Sequence, residues 1–315
     1  MRFGHHEADT VASLWCCRNY GWLSSVCRLL LIICCGGCLS GHCPAPAGAA
    51  QYSYATGFSG KIRDYTIQMG ESLFEIARRF DLGINSIHRA NPGADLFIPA
   101  AGTRIILPTA WILPDVPEYE GIVINLPELR LYLFSRDDYR SFATFPLGVG
   151  DLGYNTPVGA FTIIEKITAP AWYVPASIRR EDPSLPAVVP PGPDNPLGSH
   201  ALRLSLPSVL IHGTNSPWGI GMRSSHGCLR LYPEDILQLY RLVRPGTRVT
   251  IVQQAVKASM RGGRVFIQVH QYDGVDYLRE ARRVLTGRDL FWRVDSSKLK
   301  LALQERSGLP VDITR

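Results

Sequence analysis

The chain has 315 residues, 46% of them hydrophobic and 19% charged, enough to bury a sizeable core and to build two domains. Its formal charge of +6 is spread along the sequence without a Lys/Arg cluster interleaved with aromatics, which argues against nucleic acid as a partner and fits a polyanionic surface such as a cell wall or membrane. The 23 prolines and 29 glycines argue for turns and long loops over helical bundles.

Seven of the eight cysteines fall within the first 43 residues. The same segment holds the apolar run "LLLIICC" (Leu29 to Cys35), preceded by Arg18 and Arg28 and followed by "APAGAA" (Ala45 to Ala50). A basic region, a short apolar core and a small-residue exit describe an export signal over residues 1–50. The run is short for a bilayer span, although a retained anchor, or a lipid on Cys38 or Cys43, stays open as an alternative. The long basic region also fits a translation start downstream of Met1. Once the segment is removed, Cys228 is the only thiol left, in an oxidising compartment where it can form no internal disulfide.

Residues 51–62 read as a polar linker. In residues 63–109, Tyr65 and Ile67 alternate as in a strand. Ser72 is placed to cap a helix with Leu73, Ile76, Ala77 and Phe80 as its apolar stripe. Gly83 ends that helix, Ile84, Ile87 and Ala90 face inward on a second, and Asn91-Pro92 stops it. Ile105 and Leu107 close with a strand. This βααβ order, with Gly70-Glu71-Ser72-Leu73, Ile76-Ala77, Asn91-Pro92 and Gly102, resembles a LysM module. The resemblance implies binding of N-acetylglucosamine-containing glycan, usually peptidoglycan. Residues 51–108 are expected to be separable from the rest of the chain.

A second linker is expected at 110–118, after which the apolar period becomes two. "GIVINLPELRLYLF", "SFATFPLGVG", "TPVGAFTIIEKI", "HALRLSL", "VLIHGT" and "TRVTIV" predict a mainly β domain over 119–253. One helix is predicted in "PEDILQLYRLV", with Pro233, Glu234 and Asp235 suited to its first turn and Ile236, Leu237, Tyr240 and Leu242 inward. Residues 169–200 carry eight prolines and read as a long loop; Trp172 and Tyr173 within it suggest a lid or substrate wall. Residues 254–315 show one strand, "RVFIQV", and two helical stretches, an accessory subdomain.

The stretch "IHGTNSPWGIGMRSSHGCLRL" (Ile211 to Leu231) sets Cys228 among two histidines, His212 and His226. A free thiol is mostly protonated at neutral pH, and a histidine within reach can take its proton and later protonate a leaving amine. Backbone N–H groups of a tight Gly-containing turn, here around Gly227, can receive an oxyanion. The residue types alone leave three other readings open: Cys228 as a buried small hydrophobe, a zinc site, and His226 as a purely structural brace of the turn.

With His212-Gly213 and, twelve residues on, Ser225-His226-Gly227-Cys228, the stretch resembles the L,D-transpeptidase catalytic domain. The resemblance extends from about Gly121 to Val252, and "LPAVVPPGPDNPLG" (Leu185 to Gly198) is similar to the Gram-negative periplasmic subgroup. It implies a β-sandwich with one helix after the nucleophile and a periplasmic location. It makes Cys228 the nucleophile and His212 the base and acid, oriented by the Gly213 carbonyl, with the Gly227 N–H in the oxyanion hole. Ser225, His226, Arg230, Trp172 and Tyr173 are carried over as substrate-site residues. The implied substrate is a peptidoglycan stem peptide, the acceptor an outer-membrane lipoprotein or a second stem, and no metal or organic cofactor takes part.

Overall fold

The computed structural model describes residues 51–53, 57–135, 141–151, 155–207, 209–225 and 227–315. The export-signal reading of residues 1–50 and the roles suggested for His226 lie outside the described residues. In the LysM segment, the strand Arg63–Thr66 pairs antiparallel with Arg104–Leu107. Between them lie helices α1 (Leu73–Arg79) and α2 (Ile84–Ala90). Ser72 and Glu75 form a reciprocal capping box at the start of α1, satisfying two amides that a helix end leaves orphaned. Leu73, Ile76, Ala77, Ile84, Ile87, Ile105 and Leu107 make one small core. Gly83 serves as the N-cap of α2, and Phe80, expected on the helical stripe, sits at the C-cap and only half-buried.

The protein is mainly β. Nine strands form one mixed sheet in the order Gln51–Ser53, Ser141–Pro146, Arg130–Phe134, Gly121–Asn125, Arg248–Val252, Gly159–Thr168, His200–Leu204, Leu210–His212 and Leu229–Arg230. The long strand Gly159–Thr168 belongs to both halves: its first residues pair with Arg248–Ile251 and its later ones with His200–Leu204. Ile122, Leu131 and Phe145 of one half and Leu202, Ile211 and Leu229 of the other share a single core, so the sheet folds over on itself as a sandwich. The 169–200 segment is more ordered than a loop. Trp172–Tyr173 and Val188–Val189 form a short antiparallel ribbon that frames helix α3 (Ala176–Glu181). Helix α4 (Pro233–Leu242) begins with proline and two acids, as expected. Its inward face differs: Asp235, Ile236 and Leu239 are buried and Leu242 is exposed, because the stripe continues the spacing set by Tyr232 and Val243.

Residues 256–313 form a further small core. Here α5 (Tyr277–Gly287) and α6 (Ser296–Glu305) pack on an antiparallel sheet of Val256–Arg261, Arg264–His270 and Ser307–Asp312. Two of these strands escape the periodicity. The polar "VKASMR" hides the first, and the outer strand holds Pro310, tolerated at a sheet edge. The stretches expected as linkers are also built in: Gln51–Ser53 joins the large sheet beside Ser141–Ala143, and Phe58–Gly60 pairs with the buried Ala110–Ile112.

The LysM segment is docked on the β domain. Arg78 makes a paired ionic contact with Glu234 at 2.7 and 2.8 Å. The hydroxyl of Tyr232 donates to the Leu82 carbonyl, and Arg130 donates to that of Asp81. The amide of Ile84 donates to the Ile220 carbonyl, and Gly83 and Gly221 approach so closely that a Cβ on Gly221 would lie 2.4 Å from Gly83 Cα. Truncation at this seam would take the Asp81 carbonyl from Arg130 and Arg78 from Glu234 and expose buried backbone.

Candidate active site

His212 ends the strand Leu210–His212, which runs parallel to Leu229–Arg230 with His212 opposite Arg230. This pairing brings the two ends of the His-Gly…Ser-His-Gly-Cys stretch together. The Nδ1 of His212 lies 2.6 Å from the Gly213 carbonyl oxygen. A carbonyl only accepts, so the ring proton sits on Nδ1 and Nε2 keeps its lone pair. The imidazole is buried; burial first, and the Arg230 charge second, push its pKa down to about 4, with the backbone of Gly213 and Leu197 opposing. Burial likewise pushes the Cys228 thiol up, partly offset by the amide of Leu210 and the Arg230 guanidinium. Both groups are therefore neutral at neutral pH.

The turn before Cys228 is fixed from several directions. Ser225 donates its hydroxyl to the Cys228 carbonyl at 2.6 Å, and Thr156 donates to the Gly227 carbonyl at 3.1 Å. The Asp151 amide donates to the Ser225 carbonyl. Gly227 has a φ of 100°, a conformation strained for any residue with a side chain.

Cys228, His212, Ser225 and Arg230 form the floor of a cleft of about 610 Å³. Trp172, Ile178, Leu185 and Leu197 supply an apolar wall from the 169–200 segment, and Glu181 and Asp182 place two carboxylates on it. Trp172 lines the cleft but Tyr173 does not: neighbours on a strand point to opposite faces, and Tyr173 is 75% exposed. Two features of this wall were not singled out in the sequence. Fully buried Asn195 donates to the carbonyls of Pro170, Val189 and Pro190 and accepts from the Leu197 amide, tying the ribbon to its return. Gly198, at φ 68°, lets that return press on the loop after His212; a Cβ there would lie 2.7 Å from the Thr214 nitrogen. Among the described residues, no group of His, Cys, Asp and Glu side chains is arranged to hold a metal ion.

The YkuD L,D-transpeptidase catalytic domain matches residues 120–251, and the LysM domain matches residues 65–108. The chain is similar to the probable L,D-transpeptidase YbiS of Escherichia coli (strain K12), at 38% identity over 294 residues, 86% of this chain and 94% of that one. It is also similar to the probable L,D-transpeptidase YcfS of the same strain, at 38% identity over 262 residues, 78% of this chain and 81% of that one. Among solved structures, an L,D-transpeptidase from Mycobacterium smegmatis matches at 21% identity and a TM-score of 0.34, over 49% of this chain and 64% of that one. On the sequence relatives and the two domain matches, this chain belongs to the L,D-transpeptidase family and carries a LysM domain ahead of its catalytic domain.

Proposed function

We propose that this chain is a periplasmic cysteine acyltransferase acting on peptidoglycan tetrapeptide stems. The observation that carries the reading is one cleft that holds the only thiol beyond residue 43 together with a buried imidazole whose Nδ1 is tied to a carbonyl. The imidazole's free lone pair on Nε2 takes the Cys228 proton as sulfur attacks the carbonyl of the diamino acid at position three of the stem. The sulfur–carbon bond forms, and the oxyanion is received by the N–H groups of Gly227 and Cys228. When the intermediate collapses, the bond to D-alanine breaks and His212 returns the proton to the leaving amine, so a thioester remains. An amine then attacks the thioester, its proton passes to His212, and the thiol is regenerated.

The neutral resting state suits this sequence. A buried thiolate–imidazolium pair would be costly without more stabilisation than Leu210 and Arg230 provide, so proton transfer accompanies attack. The cleft also suits a substrate carrying both charges. Arg230 on the floor matches a carboxylate, Glu181 and Asp182 on the wall match an ammonium, and a diaminopimelyl side chain bears one of each. Transfer to an amine in water requires the acceptor to be held and solvent partly excluded, a task suited to Trp172 and the 169–200 wall. We assign the acceptor as a lipoprotein lysine ahead of the diaminopimelate of a second stem, on resemblance to the Gram-negative subgroup. Water as acceptor would make the protein a carboxypeptidase.

Incubation with a carbapenem followed by intact-mass measurement tests the chemistry: a covalent adduct is expected in the wild type and absent in Cys228→Ala. A wild type that stays unmodified while its fold is intact would leave a wall-binding protein with an idle catalytic domain. Muropeptide analysis with and without a lipoprotein acceptor then separates anchoring, crosslinking and hydrolysis.

A further inference from the structure

The seam between the LysM segment and the catalytic domain carries a run of rings, half-buried at Phe74 and exposed at Phe97 and Trp218. Phe74 of α1 packs against Phe97 with centroids 5.4 Å apart, and on its other side meets Trp218 edge-on at 5.9 Å. Phe97 is 69% exposed, Ile98 86% and Trp218 53%. Trp218 belongs to the catalytic domain, in the short turn Pro217–Gly219 on the segment that leads from His212 to Cys228. Its position relative to the LysM rings is fixed beneath by the Ile84–Ile220 hydrogen bond and the contact of Gly83 with Gly221. A contiguous exposed apolar patch that crosses a domain seam marks a binding surface more often than an accident of folding.

We propose that Phe74, Phe97, Ile98 and Trp218 form one platform on which a glycan strand lies across the seam, so that the catalytic domain itself supplies part of the sugar-binding surface. The inference rests on the peptidoglycan reading above and extends it to a residue outside the LysM domain. Aromatic rings offer flat apolar faces to the C–H faces of pyranose rings while the sugar hydroxyls stay in water. Asp95 sets a carboxylate at the patch, accepting from the amides of Phe97 and Ile98. The carboxylate against the patch favours a neutral sugar over an anionic lipid surface. Continuity with the LysM domain decides against an unrelated protein partner, since three of the four side chains belong to it. A strand held this way would lie beside the loop connecting the two reacting residues, which sets where its stem peptides can reach the cleft.

The test is titration of the whole protein with N-acetylglucosamine oligosaccharides of increasing length. Wild-type affinity is expected to rise with length. Trp218→Ala should lose about tenfold on the long oligosaccharides, the worth of one aromatic stacking contact of roughly 1.4 kcal/mol, and lose nothing on the shortest that binds. Trp218→Tyr should retain most of the affinity, Phe97→Ala should bind more weakly at every length, and carbapenem acylation should be unchanged in all three. Equal affinity of Trp218→Ala and wild type at every length overturns the platform and leaves the LysM reading standing. Absence of binding by the wild type overturns both. Pelleting of the wild type with anionic phospholipid vesicles, lost in Trp218→Ala, would reassign the patch to a membrane and overturn the proposal.

Discussion

Two histidines of this protein are buried alike and differ in their surroundings. His212 and His270 are both buried, and burial pushes both down to a pKa of about 4. His212 borders an open cleft with a thiol in it. His270 lies at the junction of the sheet and the C-terminal subdomain, with its Nε2 3.9 Å from Glu128 and no hydrogen-bond partner. Being neutral at physiological pH, it makes no ion pair there. The charge balance at that junction comes from Lys257, whose ammonium reaches Glu128 at 2.6 Å and the Ile112 carbonyl, while Tyr132 donates to the same carboxylate. Lys257 and the other partners hold the Glu128 carboxyl down to about 2 despite complete burial, so the pair is ionised. The cavity beside His270 is about 40 Å³, scarcely more than a water's space. A displaced histidine pKa therefore does not mark a site; access, a reactive neighbour and an orienting hydrogen bond do.

The largest expected difference between the two regions is catalytic. His212→Gln should slow carbapenem acylation by about 10²–10⁴-fold, whereas His270→Gln should leave the rate constant unchanged. Stopped-flow fluorescence or timed mass spectra measure both, and equal losses in the two variants would break the contrast.

Stability should show the reverse. Removing one partner of a buried ion pair leaves the other unpaired, so Lys257→Met should cost about 3–5 kcal/mol in chemical denaturation, with Glu128→Gln/Lys257→Met recovering much of it. The folded fraction should still acylate at the wild-type rate. A cost under about 1 kcal/mol would mean that the junction contributes no more than a surface pair does.

The pH dependence sharpens the comparison further. Each histidine has a folded pKa of about 4, below the ordinary 6.5, so between these values the unfolded chain binds more protons. The stability each contributes is present above 6.5 and lost as pH falls through that window to about 4. For His270 this amounts to at most about 3 kcal/mol. His270→Leu should flatten the dependence of Tm on pH across the window without altering the acylation profile. That profile should be level through neutral pH and fall only toward about 4, where His212 gains its proton. An acid limb near the usual histidine value would show that His212 is more solvated than its burial implies.

The unequal legibility of the two regions has a physical cause. His212 and Cys228 lie within one short stretch of sequence, so residue types and spacing could mark them as candidates while the family resemblance supplied their roles, and Ser72 and the apolar period marked the helices of the LysM segment. The junction is assembled from Ile112, Glu128, Tyr132, Lys257 and His270, which are far apart in sequence, and nothing in a single charged residue announces that it will be buried. The same holds for Thr156 on Gly227 and for the docking of Arg78 on Glu234. Where local signals were misleading, tertiary pairing and packing outweighed them: Gln51–Ser53 and Phe58–Gly60 pair into sheets, and Leu242 turns outward because Val243 and Leu239 already fill the space beneath α4.

The smallest expected effects come from one buried amide in each region. Asn195 bonds three carbonyls and one amide of the cleft wall, and Gln268 bonds the Ile112 amide and the carbonyls of Gly308 and Ala110 at the junction. Replacing either by alanine leaves buried backbone groups unsatisfied, at about 1–3 kcal/mol. The thermodynamic losses should match while the kinetic ones diverge. Asn195 holds the ribbon that carries Trp172 and fixes Leu197 of the cleft wall, so Asn195→Ala should also slow acylation, by up to about tenfold for a loss of 1.4 kcal/mol in transition-state positioning. Gln268→Ala has no such route to the cleft, and a comparable slowing in that variant would mean that the C-terminal subdomain reaches the reacting groups through the sheet.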